Sequence, residues 1–229
     1  MTARYAIYYA PAAEDELYRA ASAWLGRDVY TDTPLVRPAI AGMESLDLDA
    51  LTSDPRHYGW HATLKAPFEL AAGQATESLL AEVEAYCRNR GPFSATVNVA
   101  ALGDFLAFTL AEPSADMRLL HEDCVRRFDH FRAPLSDFDL ARRRRARMSA
   151  EQDARLIAFG YPWIFEDFRF HMTLTGRIRD EAERTRVLAA LQQHFAAYEG
   201  PHVFGGLALF FQPDRDSDFI VLDRFAFGG

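Results

Sequence analysis

The sequence predicts an α+β fold built by internal duplication, and three observations carry that expectation. Strand-like and helix-like segments alternate along all 229 residues. The order strand, helix, Gly-Pro, strand, strand occurs twice. Trp60-His61-Ala62-Thr63-Leu64 leads to Gly91-Pro92, and Phe170-His171-Met172-Thr173-Leu174 leads to Gly200-Pro201. The spacings from His61 to Gly91 and from His171 to Gly200 are 30 and 29 residues. Order, spacing and terminators together are more than chance matches between short motifs supply, and a repeat outweighs any single motif.

Each element has its own local cause. Arg4 to Ala10 is aromatic and β-branched and reads as a strand stopped by Pro11. Ala12 to Leu25 reads as a helix, because Leu17, Ala20, Ala21 and Trp24 fall on one stripe beside Glu14, Asp15 and Glu16. Residues 28–55 are interrupted by Pro34, Pro38, Gly42 and Pro55, which predicts a loop that wraps the body or covers a cleft. His57 to Leu70 holds a short strand ending at Pro67. Thr76 to Arg90 is a helix with Leu79, Leu80, Val83 and Tyr86 on one side. Phe93 to Leu102 and Phe105 to Leu110 flank Gly103-Asp104 as a hairpin. Ser114 to Phe131 and Leu140 to Phe159 read as helices of an insert spanning about residues 114–159. Phe165 to Ile178 returns to strand character, Asp180 to Tyr198 is a helix, and Val203 to Phe211 and Phe219 to Phe227 are the last two strands. The whole of residues 1–229 is expected to form one domain.

Composition narrows the function. The chain carries 25 Lys+Arg against 33 Asp+Glu, a net charge of −8, and only one of the basic residues, Lys65, is a lysine. Long nucleic acid is disfavoured as a partner, because that affinity rests on neutralising phosphates. Cys87 and Cys124 make neither a disulfide framework nor a metal-ligand spacing. The opening MTARYAIYYAPAAEDE has no apolar core of a secretory signal, and no apolar run approaches the ~20 residues that span a bilayer. A cytoplasmic protein without membrane contact is expected. No G-x-x-x-x-G-K-[ST] loop and no strand-linked G-x-G-x-x-G occurs, which argues against nucleotide triphosphate or dinucleotide chemistry.

The two histidine strands carry the chemistry. Side chains alternate along a strand, so His61, Thr63 and Lys65 share one face and Trp60, Ala62 and Leu64 the other. His171, Thr173, Thr175 and Arg177 likewise oppose Phe170, Met172, Leu174 and Gly176. Each strand thus has an apolar face for a core and a face bearing an imidazole followed by a hydroxyl. If the halves are related by a pseudo-two-fold, both H-x-T faces line a shared cleft. Histidine gives and takes protons near neutrality, and a pair serves as general acid and general base. The threonine hydroxyls suit phosphate oxygens, and Lys65 adds positive charge where negative charge develops.

The paired H-x-T-L motifs, HATL at 61–64 and HMTL at 171–174, resemble those of the two-histidine phosphoesterase superfamily. The flanking text (RYAIYYAP, YGWHATLKAPFEL, FDHFRAPLSDFDLARRRR and GYPWIFEDFRFHMTLTG) is similar to the branch associated with phosphonate-degradation genes. The resemblance covers nearly the whole chain. It implies a bilobal α+β fold, with two antiparallel sheets lining a central cleft and helices outside. It also implies catalysis without metal or cofactor, and a small anionic cyclic phosphodiester as substrate, in phosphonate catabolism a ribose or nucleoside cyclic phosphate. His61 and His171 would be the acid–base pair, in unassigned order, and Thr63 and Thr173 would hold the phosphate.

Lys65, Thr175 and Arg132 are placed with the substrate-binding residues. The run Arg142 to Arg145, with Arg147, reads first as a solvated face paired with Asp137, Asp139, Glu151 and Asp153, and second as an anion clamp over the cleft together with Arg132. His57, His121, His130, His194 and His202 form no metal-ligand pattern. Two other functions stay open: a non-catalytic binder of nucleotides or sugar phosphates, and an RNA-end 2′,3′-cyclic phosphodiesterase. The sequence specifies no protein partner.

Overall fold

In chain order the elements are β1 (Arg4–Tyr9), α1 (Glu16–Leu25), β2 (Arg27–Asp28), β3 (Thr33–Pro34), α2 (Leu48–Tyr58), β4 (Ala62–Phe68), α3 (Thr76–Arg88), β5 (Phe93–Leu102), β6 (Phe105–Leu110), α4 (Ala115–Arg127), α5 (Asp137–Arg143), α6 (Ala150–Phe159), β7 (His171–Thr173), α7 (Glu181–Phe195), β8 (Gly200–Phe204), β9 (Gly206–Gln212) and β10 (Ile220–Ala226). The structure, a computed structural model, describes residues 3–228. Met1 and Thr2, part of the stretch read as lacking a secretory signal, lie outside the described residues.

The α+β class is as expected, and the strands of the two lobes are continuous. Eight strands run in the order β10-β9-β1-β4-β7-β6-β5-β8, with β2 and β3 forming a separate small ribbon. All their pairings are antiparallel, and the lobes meet at the pair Ala62↔Met172, where β4 adjoins β7. The duplication is interlocked. The hairpin β5–β6 of the first repeat flanks the histidine strand of the second, while β9 and β10 of the second repeat join β1 beside the histidine strand of the first. The helices follow their partners: α3 packs on β9 and β10, and α7 on β5 and β6. A single residue, Gly205, links β8 to β9, and the Tyr9 hydroxyl reaches His202 on β8 at 2.5 Å, so the sheet curls back on itself.

Beneath the seam the apolar faces of both histidine strands enter one core. Ala62, Leu64, Met172 and Leu174 are buried there, and Trp60 meets Phe108 edge-on at 5.7 Å, with Phe195 against Phe108 at 5.3 Å. Such aromatic pairs contribute about 0.5–1.5 kcal/mol each beyond their burial and give the strands a stiff floor. The Trp24 indole donates to the Leu174 carbonyl at 2.8 Å, which ties α1 to the strand end carrying Thr173.

Three expectations are corrected. The segment 28–55 is not all loop, because α2 forms with Pro55 inside it. A proline there cannot donate to the carbonyl four residues back. That carbonyl, Leu51 O, instead accepts from the Gly176 amide at 2.7 Å, so the vacancy in the helix ladder joins α2 to the chain beyond β7. The strand expected over Phe165 to Ile178 is only His171–Thr173, and Phe165–Asp167 is a 3₁₀ turn. Phe165 has φ 60°, and its amide donates to the buried His121 Nε2 at 3.1 Å, so this stretch is anchored by a side chain rather than by a ladder. The insert divides as well. Met117, Leu120 and Cys124 of α4 belong to the main core and α4 packs on β4, leaving α5 and α6 as the outlying part. Among the described residues, no helix is long and apolar enough to cross a membrane.

Candidate active site

The pairing of Ala62 with Met172 sets the register of the site. In an antiparallel pair the flanking residues also face each other, so His61 lies opposite Thr173 and Thr63 opposite His171. All four project to the face away from the core and line one cleft of about 360 Å³. The histidines are diagonal neighbours across the strands, a relation that separates positions by about 7 Å and leaves room for one phosphoryl group between them.

Both imidazoles are held in the same way. His61 Nδ1 is 2.9 Å from the carbonyl of Gly59, and His171 Nδ1 is 2.8 Å from the carbonyl of Arg169, each two residues upstream. A carbonyl only accepts, so Nδ1 carries the hydrogen in each ring, and each neutral Nε2 keeps its lone pair. For His61 that Nε2 is 3.3 Å from the Thr63 hydroxyl. The Tyr8 ring stacks on His61 with centroids 3.8 Å apart. Burial pushes the His61 pKa down to about 4, and the neighbouring His171 acts in the same direction against the opposing Gly59 bond. Burial lowers His171 too, opposed by its bond to Arg169. At neutral pH the free site therefore holds two neutral bases.

Gly59 has a second role. Its φ of 75° and ψ of 169° belong to backbone that glycine alone adopts readily, and a Cβ there would lie 2.5 Å from the Val29 Cβ. The residue that orients His61 is thus fixed by sterics as well as by its carbonyl.

The rest of the cleft comes from β1, α2, α5 and the turn after α6. Arg4, Tyr8, Tyr58, Arg142, Arg143 and Tyr161 line it with the histidine strands. The arginine run fans out as a helix end requires. Arg142 pairs with Asp139 at 3.2 Å, Arg144 with Asp153 at 2.7 Å, and Arg143 turns into the cleft. Sequence reasoning found the histidines and threonines, and missed Arg4, Tyr8, Tyr58, Gly59 and Tyr161. The four-residue spacing of Arg4 and Tyr8 on one strand was the available signal for those two.

Three expected substrate contacts are not brought to the cleft. Lys65 is 3% exposed, and its ammonium donates to the Val125 carbonyl at 3.1 Å and to Asp129 at 2.9 Å on the helix side of the sheet. The cause is a register shift: Tyr8 pairs with Thr63 but Ile7 with Lys65, so the extra residue in β4 reverses the alternation. The second strand repeats the irregularity. The Leu174 and Thr175 amides both donate to Leu106 O, at 2.9 and 3.2 Å, and Thr175 is left 1% exposed, accepting from the Leu106 amide at 3.0 Å. Arg132 is spent on Asp129, which it grips through two nitrogens at 2.9 and 3.0 Å, and on the Ala158 carbonyl at 2.7 Å. It ties the end of α6 to the body. Among the described residues, no group of three or more His, Cys, Asp or Glu is placed to hold a metal ion.

A family described as a protein of unknown function, DUF1045, matches residues 63–220. A protein of Janthinobacterium sp. (strain Marseille) named ribose 1,5-bisphosphate phosphokinase PhnN is 38% identical over 231 residues, covering 99% of this chain and 51% of that protein. A protein of the same name from Laribacter hongkongensis (strain HLHK9) is 33% identical over 218 residues, covering 94% and 50%. The chain spans about half the length of these relatives. Among solved structures, E. coli LigT complexed with 3′-AMP aligns with a TM-score of 0.47 at 12% identity over 100% of both chains. TT0787 of Thermus thermophilus aligns with a TM-score of 0.45 at 14% identity, over 99% of this chain and 98% of that one.

Proposed function

We propose that this chain, which belongs to the DUF1045 family, is a phosphoesterase that hydrolyses a small cyclic phosphodiester with His61 and His171 as its acid–base pair. The observation that carries the reading is the crossed arrangement of two imidazoles and two hydroxyls on adjacent strands, with both Nδ1 atoms tied to backbone, so that each Nε2 keeps its lone pair, that of His61 beside the Thr63 hydroxyl.

The chemistry follows from those protonation states. An anionic phosphodiester entering the cleft favours the protonated form of one imidazole, which converts the resting pair of bases into one base and one acid. The base accepts a proton from water as its oxygen bonds to phosphorus. The acid gives its proton to one ring oxygen as the bond between that oxygen and phosphorus breaks. The product is a phosphomonoester, and the two histidines have exchanged roles, so a proton must pass between them or through solvent before the next turnover. Each such transfer is worth about 10²–10⁴-fold. The Thr63 and Thr173 hydroxyls donate to the non-bridging oxygens, where charge builds up in the transition state.

A ribose-based substrate is favoured by the resemblance to the branch encoded near phosphonate-degradation genes and by the name of the relatives, which refers to a ribose bisphosphate. The kinase named there is about twice as long, and this chain carries no G-x-x-x-x-G-K-[ST] loop. Its own residues therefore support hydrolysis rather than transfer from a nucleoside triphosphate.

The test is a panel of ribose 1,2-cyclic and nucleoside 2′,3′-cyclic phosphates assayed in EDTA with the wild type, His61→Ala and His171→Ala. Turnover that survives EDTA and falls at least about 100-fold in each variant is expected. Tight binding with no turnover of any panel member would leave a binding protein in place of an enzyme. Loss of activity to EDTA would replace the two-histidine mechanism with a metal-dependent one.

A further inference from the structure

The positive charge of the cleft is not where the reaction needs it. Thr63, Thr173 and two neutral imidazoles surround the proposed reacting phosphate, while the guanidinium groups of the cleft come from the neighbouring strand β1 and the end of α5. Two of them lack a counter-charge. Among the described residues, no carboxylate lies within 4 Å of Arg4 or Arg143, whereas Arg27, Arg37, Arg90, Arg132 and Arg215, also shielded from solvent to varying degrees, each have one.

Arg4 is instead held by a neutral amide. Its Nε donates to Gln212 Oε1 at 2.7 Å and its Nη2 reaches the same atom, and its guanidinium carbon lies 5.6 Å from the centre of the Phe219 ring. Gln212 is fixed in turn by donating to the Ser217 carbonyl at 2.7 Å. Arg143 has a buried Nε with no hydrogen-bond partner, and its guanidinium carbon lies 5.2 Å from the centre of the Tyr161 ring. Burial disfavours the charge on both guanidiniums; Arg215 and Arg142 add repulsion at Arg4, and Arg142 and Arg4 add it at Arg143, where Asp139 offsets part of it. Like charges gathered in a cleft with an orphaned donor destabilise the free protein unless an anion joins them. Two guanidiniums without a direct ion-pair partner suit an anion, and their forked donors suit the oxygens of a phosphate.

We infer that Arg4 and Arg143 form a second anion subsite, which binds a phosphomonoester carried by the substrate apart from its cyclic diester. The inference rests on the proposed reaction at the histidines and adds the substrate class: a cyclic phosphodiester of sugar size with a separate terminal phosphate. A cleft of about 360 Å³ accommodates a sugar between the two anionic groups. The terminal phosphate takes no part in bond breaking. It positions the ring, so its binding energy is realised as orientation of the diester between the imidazoles.

The experiment uses matched pairs, ribose 1,2-cyclic phosphate and a nucleoside 2′,3′-cyclic phosphate, each with and without a 5-position phosphate. For the wild type, kcat/KM is expected to favour the phosphorylated member of at least one pair by about 30-fold, roughly 2 kcal/mol. In Arg143→Met and Arg4→Met that ratio collapses to under about threefold. Calorimetric binding of ribose 5-phosphate, which needs no turnover, weakens at least tenfold in both variants, an expected loss of about 1.4 kcal/mol or more. A wild type without preference within either pair, or variants that lose rate while keeping the ratio, would overturn the subsite and leave the histidine reaction standing. Absence of turnover on every substrate with ribose 5-phosphate still bound through the arginines would instead overturn the reaction and keep the subsite.

Discussion

Replacing His61 by Asn isolates the free energy stored in holding that imidazole neutral. Asn keeps a donor able to reach the Gly59 carbonyl but has no proton to gain. In the wild type, the His61 pKa falls from 6.5 in the unfolded chain to about 4 in the fold, mainly through burial. The unfolded chain therefore binds the extra proton first as the medium is acidified. The folded state keeps its advantage above pH 6.5 and loses it as pH falls through about 4, at up to 1.36 kcal/mol per pH unit. At pH 5 the unfolded imidazole is almost fully charged and the folded one hardly at all, so this residue alone removes about 2 kcal/mol of stability between pH 7 and pH 5. Urea unfolding at pH 7, 6 and 5, followed by tryptophan fluorescence, measures this as a difference of differences. The wild type should lose about 2 kcal/mol more than His61→Asn over that interval, whatever the other histidines contribute. Equal losses in the two proteins would refute the neutral, buried imidazole on which the reaction is built.

Two other perturbations separate structure from catalysis. Lys65→Met removes one partner of the Asp129 carboxylate while Arg132 remains, so the expected cost is at the low end for a broken buried pair, about 3 kcal/mol by urea unfolding. Turnover at temperatures where the variant is folded should stay within about threefold of wild type, and a hundredfold loss would return Lys65 to the substrate. Gly59→Ala forces a Cβ against Val29 from a backbone conformation reserved for glycine, which should cost about 3 kcal/mol or more and lower kcat through the displaced His61. An alanine variant as stable and active as the wild type would mean that the Gly59 carbonyl does not orient the ring.

What could be read from the sequence, and what could not, divides along physical lines. The histidines and threonines were legible because duplication repeats side-chain chemistry at fixed spacing. Lys65 and Thr175 were misplaced because the period-two rule holds only while the ladder is regular, and each histidine strand shifts register just beyond its threonine. No residue type announces that shift. The helix α2 was hidden by Pro55, read as a breaker, because the partner that satisfies Leu51 O lies more than a hundred residues away. The arginine run was ambiguous for a similar reason: adjacent helix positions look alike in sequence, and only packing decides that Arg144 meets Asp153 while Arg143 enters the cleft. The pairing of lobes was invisible too, since the first repeat's hairpin joins the second repeat's histidine strand while the second repeat's hairpin joins β1.

The central claim is that two imidazoles, both neutral at rest, divide the roles of acid and base in one reaction. The pH dependence of kcat/KM on the best cyclic phosphate, for the wild type and each single histidine variant, tests it most directly. Because both free imidazoles have lowered pKa values, the wild-type profile should be bell-shaped with its maximum below pH 6.5, and kcat should peak at higher pH once the bound anion stabilises the protonated ring. Each variant should retain only one limb of the bell at greatly reduced rate. A flat profile, or a single variant that keeps the full bell near the wild-type rate, would contradict the account.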